Sequence, residues 1–382
     1  MKKVLLIFLI FASSFVFPGC WDRHEINDIA LITGVALDKK ENNSIEVTVE
    51  IISPGMEAGA TGGEGGGVGK TVTRSGVGVN IAEALEKLQE RLPRKVFWGH
   101  SEVFVIGEEL AKEGISDEIE YFLRHREPRV RAYVFVAKNR AKEVMALLPP
   151  IEPTSAEVLR EMAIYETFFS VTLLELMQML QSDSGVANLS MIQVLPPAEG
   201  GSDLETIAYI SGSAILKEDK MIGTLDDRVT RGVNWIKDEI EHGNISIKPK
   251  EGEGYISGAI LEANTELIPE KANGPWKMTI KSDVVLEVTI NETSLDLGIP
   301  EDMEIAQKEV NEHLEQRMKE AVEEVQKGMK ADIFDFARVI ETTYPKEWEK
   351  MKGDWEEIFP TVQVTFDINT DIIRRGQVQG FK

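Results

Sequence analysis

The chain has 382 residues, a formal net charge of -23, 42% hydrophobic residues and a single cysteine. This composition suits a folded globular body, with length enough for two or three domains. So acidic a surface argues against nucleic-acid binding, and one thiol leaves no intrachain disulfide to staple the fold.

Lys2 and Lys3 precede an apolar run, Val4 to Phe17, that ends at Gly19-Cys20. A basic start, a short hydrophobic core and a small residue before the cut describe a secretory signal peptide. The cysteine directly after it adds a lipobox reading: residues 1–19 are removed and Cys20 carries a diacylglyceryl group. Phe17 and Pro18 depart from that pattern, which usually has Leu and a small residue there. An uncleaved anchor helix is the alternative, but the run is shorter than the roughly 20 residues that span a bilayer, and Pro18 breaks it. Plain secretion is the third reading. No second apolar run of membrane-spanning length follows.

Trp21 to Asp28 is polar and too short to be a free linker, so the folded part begins almost at the membrane surface. Ile29 to Leu37 is apolar on both faces, as in a buried central strand. Ile45, Val47, Val49 and Ile51 alternate with Glu46, Thr48 and Glu50, which predicts a half-exposed strand. Residues 55–78 are glycine-rich and read as a mobile loop. Asn80 and Glu83 form a capping-box pattern ahead of a helix that Pro93 stops. A strand at 102–107, a helix from Ser116, a strand at 130–137 and a helix at 141–148 follow. Two helices capped at Thr154 and Thr172 and a strand at 189–195 complete an α+β domain, residues 20–197.

Pro196 to Ser202 marks a boundary. Residues 198–245 read as a small middle α+β domain. Residues 246–382 read as a C-terminal α+β domain of long antiparallel strands crossed by a helix at 301–330. The expected fold is thus α+β, three consecutive mixed domains with largely antiparallel sheets after a lipoprotein signal peptide.

Chemistry-bearing motifs are weak. Gly69-Lys70-Thr71 lacks the earlier glycine of a phosphate loop, since position 64 is Glu. Asp367, Asn369 and Asp371 open like a calcium loop, but Ile372 and Val378 stand where Gly and Glu are required. The five histidines are scattered, and no nucleophile elbow occurs. No catalytic residue, metal ligand or cofactor site is expected. The one dense basic cluster, Arg124, Arg126, Arg129 and Arg131, suits either a solvated helix end or a patch that docks on lipid headgroups or an acidic partner.

Four segments carry a resemblance along nearly the whole chain. The first runs from Cys20-Trp21-Asp22-Arg23-His24-Glu25-Ile26-Asn27-Asp28 to Thr33-Gly34 and Asp38. The second is Leu88 to Lys95 with Phe97-Trp98-Gly99-His100 and Ile106 to Ala111. The third is Gly212-Ser213-Ala214-Ile215 with Lys220 to Leu225 and Arg231-Gly232. The fourth is Ala331-Asp332-Ile333-Phe334 with Tyr344 to Trp348, Trp355 and Ile358 to Val362. The chain resembles the Ger(x)C family, the C-subunit lipoproteins of GerA-type spore germination receptors. It departs from the family's usual form in the third segment and at Asp335 and Ala337, where glycines are common.

The resemblance implies a non-enzymatic subunit of a nutrient germinant receptor, anchored through lipidated Cys20 on the outer face of the spore inner membrane. It also implies three consecutive domains and two integral membrane partner subunits, one of them transporter-like. Cys20 is the lipidation site. Trp21, Asp22, Glu25, Asn27 and Asp28 join the four arginines as candidate partner or membrane contacts. A solute-binding lipoprotein of a transporter is the alternative; it predicts two doubly wound lobes with regularly alternating strands and helices. A surface hydrolase is the third reading, and it needs converging polar groups in a deep pocket.

Overall fold

The computed structural model describes residues 28–52, 71–125, 128–165, 169–250, 253–271 and 274–373. The expected signal peptide, residues 1–19, Cys20 and the segment 53–70 lie outside them. Strand β1 (Ile29–Lys39) sits centrally in a nine-stranded sheet, as its two apolar faces require. On one side it pairs antiparallel with β2 (Ile45–Ile52), and β2 with β3 (Thr71–Gly78). On the other it lies parallel to the short β4 (Lys95–Phe97) and to β5 (Val103–Gly107). Then come β6 (Tyr133–Ala137) and β7 (Val186–Val194), both in parallel register. Strands β8 (Ala208–Lys217) and β9 (Lys220–Asp226) finish the sheet as antiparallel additions to β7.

Three sequence expectations change here. Residues 71–78, placed in a mobile loop, form a strand along the whole of β2. Its glycines let helix α1 (Ile81–Glu90) lie almost on the backbone: a Cβ on Gly76 would stand 2.0 Å from the carbonyl oxygen of Ala84. Strand β2 is not half-exposed, because Glu46, Thr48 and Glu50 are all buried under helices. The strands assigned to the small middle unit continue the first sheet without a break, since residues 195–207 turn β8 back against β7.

Helices pack on both faces. They are α2 (Glu108–Glu113), α3 (Ser116–Arg124), α4 (Ala141–Met145), α5 (Ser155–Ile164) and α6 (Leu173–Leu180). The expected caps form at two of them. Thr154 Oγ1 accepts from the amide of Glu157 at 2.8 Å, and Thr172 and Glu175 make a complete capping box. At α1 the amide of Glu83 donates to Asn80, while the carboxylate of Glu83 accepts from the amide of Val79. Ser116 is the first residue of α3 and does not cap it.

Helix α7 (Asp227–Ile236), capped by Asp226, leads into a second sheet. There β10 (Asn244–Ile247), β11 (Ile256–Glu270) and β12 (Lys277–Asn291) run antiparallel. The long helix α8 (Pro300–Val322) continues into a π-helical turn, Glu323–Met329. Its stripe of Val310, Leu314, Met318, Ala321 and Val325 is buried as the heptad-like spacing predicts, while Ile305 stays 47% exposed. Short helices α9 (Phe336–Thr343), α10 (Pro345–Met351) and α11 (Trp355–Ile358) precede the last strand, β13 (Gln363–Ile373). That strand pairs parallel to β12, against an all-antiparallel expectation for this region, because the α8–α11 crossover brings the chain back to start at the same end. Antiparallel pairing still predominates over the two sheets.

The two units are joined tightly. Gly232 of α7 crosses α8 where a Cβ would lie 2.7 Å from the Arg317 carbonyl oxygen and 2.8 Å from Ala321 Cβ. An ion pair, Arg228 to Glu320 at 2.8 Å, flanks the crossing. Trp348 Nε1 donates to Asp183 at 3.2 Å, reaching from α10 to the turn before β7.

Candidate functional site

Three buried carboxylates organise the helices on these sheets. Asp38, at the end of β1, accepts at 2.8 Å from the amides of Ala141 and Lys142, the first turn of α4. Glu50 of β2 accepts from the amides of Ser155 and Ala156 at the start of α5 and from the Thr33 hydroxyl at 3.0 Å. Asp332 accepts from the amides of Phe336 and Ala337 at the start of α9, and from Trp355 Nε1 at 3.0 Å. Each satisfies orphan amides at a helix N-terminus, where the helix dipole favours negative charge. Burial nonetheless wins: it raises the pKa of Asp38 and Glu50, and it pushes Asp332 up to about 6, the donated hydrogen bonds only partly opposing it.

Glu46 behaves otherwise. Burial would raise its pKa, but Lys142 at 2.7 Å, with Lys40 and Arg140, brings it below the usual carboxylate range. Asp38, Glu46 and Glu50 fix helices to strands about a hundred residues away in sequence, and Asp332 ties the start of α9 to α11, so these groups hold the body in shape.

Asp332 also anchors an aromatic cluster. Trp348 and Trp355 meet edge-on at 5.3 Å, and Phe336 and Phe359 at 5.9 Å. Gln326, from the π-helical turn, donates to the carbonyls of Phe359 and Val362.

Two concave surfaces stand out. A cleft of ≈ 800 Å³ lies between the Phe169–Asn188 stretch and α9–α10, with Lys237 at its floor. Burial lowers the Lys237 pKa, but Glu239 at 3.3 Å and Asp335 at 3.6 Å more than reverse this, and the ammonium also sits 5.7 Å from the Phe169 ring centroid. The other is an apolar groove of ≈ 670 Å³ bordered by Ile151, Tyr165, Leu195 and Pro196. Ile151 is 88% and Tyr165 74% exposed. Lys237 and the groove gave no sequence signal, since the residues that build them are scattered along the chain. Asp38 and Asp332 fell inside recognised segments without a role.

Of the residues proposed from sequence, Cys20, Trp21, Asp22, Glu25, Asn27 and Arg126 lie outside the described residues. Asp28 is exposed at the entry to β1. Arg124, Arg129 and Arg131 are exposed near that same entry. Arg124 pairs with Glu120, and Arg129 Nε donates to the Gly99 carbonyl at 2.6 Å, which ties the arginine loop to the turn after β4. Strand β4 lies beside Ile29–Leu31. Among the described residues no cluster of three or more His, Cys, Asp or Glu side chains could hold a metal ion. No described helix is long and apolar enough to cross a membrane.

Residues 22–194 match the family described as spore germination protein N-terminal domain, and residues 211–376 match the spore germination B3/GerAC-like C-terminal family. Spore germination protein KC of Bacillus subtilis (strain 168) is 26% identical over 98% of this chain and 96% of its own length. Spore germination protein B3 of the same organism is 24% identical over 99% of this chain and its whole length. The crystal structure of the GerBC protein superposes with a TM-score of 0.59 at 19% identity, covering 89% of this chain and 97% of that one. The last comparison establishes the fold, an N-terminal α+β domain followed by a C-terminal one.

Proposed function

Since the chain belongs to this family of spore germination proteins, carrying both of its domains in order, we propose that it is the lipoprotein subunit of a spore nutrient germinant receptor. A diacylglyceryl group on Cys20 holds it on the outer face of the spore inner membrane. There it acts without catalysis, by contacts with two integral membrane subunits, one of them transporter-like. The observation that carries this reading is the family match over both domains, which begins two residues after Cys20. The interior supports it: the buried carboxylates are spent on helix ends, as in a rigid adaptor whose output is shape.

The solute-binding alternative expects two similar lobes around a cleft. The cleft found here separates a nine-stranded from a four-stranded sheet, which favours the receptor reading. The test is Cys20→Ala in the sporulating cell. The variant leaves the membrane fraction and nutrient-triggered germination falls sharply. A variant that stays membrane-bound and germinates normally refutes the proposal.

A further inference from the structure

The chain is acidic overall, but its basic residues are not spread evenly. Residues 91–101 contain Arg91, Arg94 and Lys95 and no acid. The fold places this stretch beside the arginine loop. Lys95 and Phe97 lie on β4 against Ile29–Leu31, and Arg129 is bonded to Gly99 just beyond. Arg124, Arg129 and Arg131 share that end of the sheet with two exposed apolar side chains, Phe97 (44%) and Val130 (41%). Lys95, Arg129 and Arg131 make no ion pair with a described residue. Of the nearby acids, Glu120 is engaged by Arg124, Glu102 by Arg160 at 3.3 Å and Glu175 by the amide of Thr172, while Asp28 stands exposed at the start of β1.

The same end is where the chain enters the fold. Asp28 is eight steps along the chain from Cys20, so a lipid on Cys20 holds the start of β1 within roughly 28 Å of the bilayer at full extension. An acidic body on so short a leash, beside an anionic surface, turns its negative faces outward and this basic face inward. Each Lys or Arg near such a surface adds attraction, and exposed aromatic and aliphatic side chains suit the headgroup level. From this juxtaposition we infer that the face formed by Lys95, Phe97, Arg129, Val130 and Arg131 docks on anionic phospholipid headgroups and sets the orientation of the subunit on its membrane. The inference rests on the anchored reading above, and the experiment supplies the anchor independently.

A chain beginning at residue 20 with Cys20→Ser has no thiol, which allows a single environment-sensitive label. It is tethered by a histidine tag at its new N-terminus to nickel-chelating lipid, in vesicles of phosphatidylcholine alone or mixed with phosphatidylglycerol. One label replaces Phe97 (Phe97→Cys). The other replaces Leu195 (Leu195→Cys), roughly 30 Å further along the strand direction by the sheet register. The label at 97 shifts to the blue on the anionic vesicles only, and the label at 195 does not shift. Lys95→Glu with Arg131→Glu, or the milder pair Lys95→Gln with Arg131→Gln, loses the shift, as does high salt. No shift at 97, an equal shift on neutral vesicles, a shift at 195, or a response only when integral receptor subunits are present overturns the inference. An unmodified Cys20 in the native protein would sink the anchor and leave this result standing.

Discussion

Replacing Asp332 by alanine tests how the C-terminal unit is held together. The change orphans three buried donors: the amides of Phe336 and Ala337 and the indole N–H of Trp355. Each unsatisfied group costs about 1–3 kcal/mol, so at pH 7 the variant unfolds more readily by at least ~2 kcal/mol, even after the buried charge is removed. The pH dependence is the sharper readout. The carboxyl titrates at 3.8 in the unfolded chain and at about 6 in the folded one. Between these values the folded chain holds a proton that the unfolded chain has released. This group's contribution is therefore fully present below pH 3.8, falls as pH rises through 6, and is level above. The shift corresponds to about 3 kcal/mol. Alanine cannot titrate, so the stability gap between parent and Asp332→Ala widens on going from pH 7 to pH 4, by an amount of that order. Urea unfolding of both proteins, followed by tryptophan fluorescence at the two pH values, measures it. A gap that narrows on acidification would mean that the three donors, not burial, govern the carboxyl, and the argument would fail.

At the α7–α8 crossing, Gly232→Leu forces the helices apart and costs about 1–3 kcal/mol, read as a lowered Tm and reduced abundance in the spore; an unchanged Tm contradicts the close approach. Glu50→Gln leaves one acceptor oxygen for three donors and lowers stability by about 1–3 kcal/mol, whereas Thr33→Val, which removes only one of those donors, costs less; equal effects in denaturant titrations would show that the helix amides do not depend on Glu50. With Cys20→Ala and the labelled-vesicle experiment, these changes separate fold, anchor and orientation.

Much of the fold was legible in local pattern. Caps at Asn80, Thr154 and Thr172 announce helices from within four residues, and the apolar stripe of α8 follows from spacing alone. What escaped is what depends on distant partners. The alternation in β2 resembles a solvated face because acids usually seek water, yet Glu50 is capped to a helix 105 residues later. The glycines at 76 and 78 resemble a floppy loop until α1 is laid against them. The parallel arrival of β13 depends on a crossover with no local signature. The basic cluster was visible as residues, but its closeness to β4 and to the start of β1 required the sheet register.

That last parallel pairing also imposes an order in time. Strand β12 ends at Asn291 and its neighbour begins at Gln363, so the hairpin of β11 and β12 is synthesised long before its third companion exists. Until then one flank of β12 offers unsatisfied peptide groups to any passing strand. Helix α8 forms meanwhile from local contacts, but the strand it chiefly packs on is the missing β13, so it cannot yet settle in its final place. A message ending shortly before codon 363 would therefore yield a half-closed sheet prone to stick to its copies, rather than a slightly shorter protein.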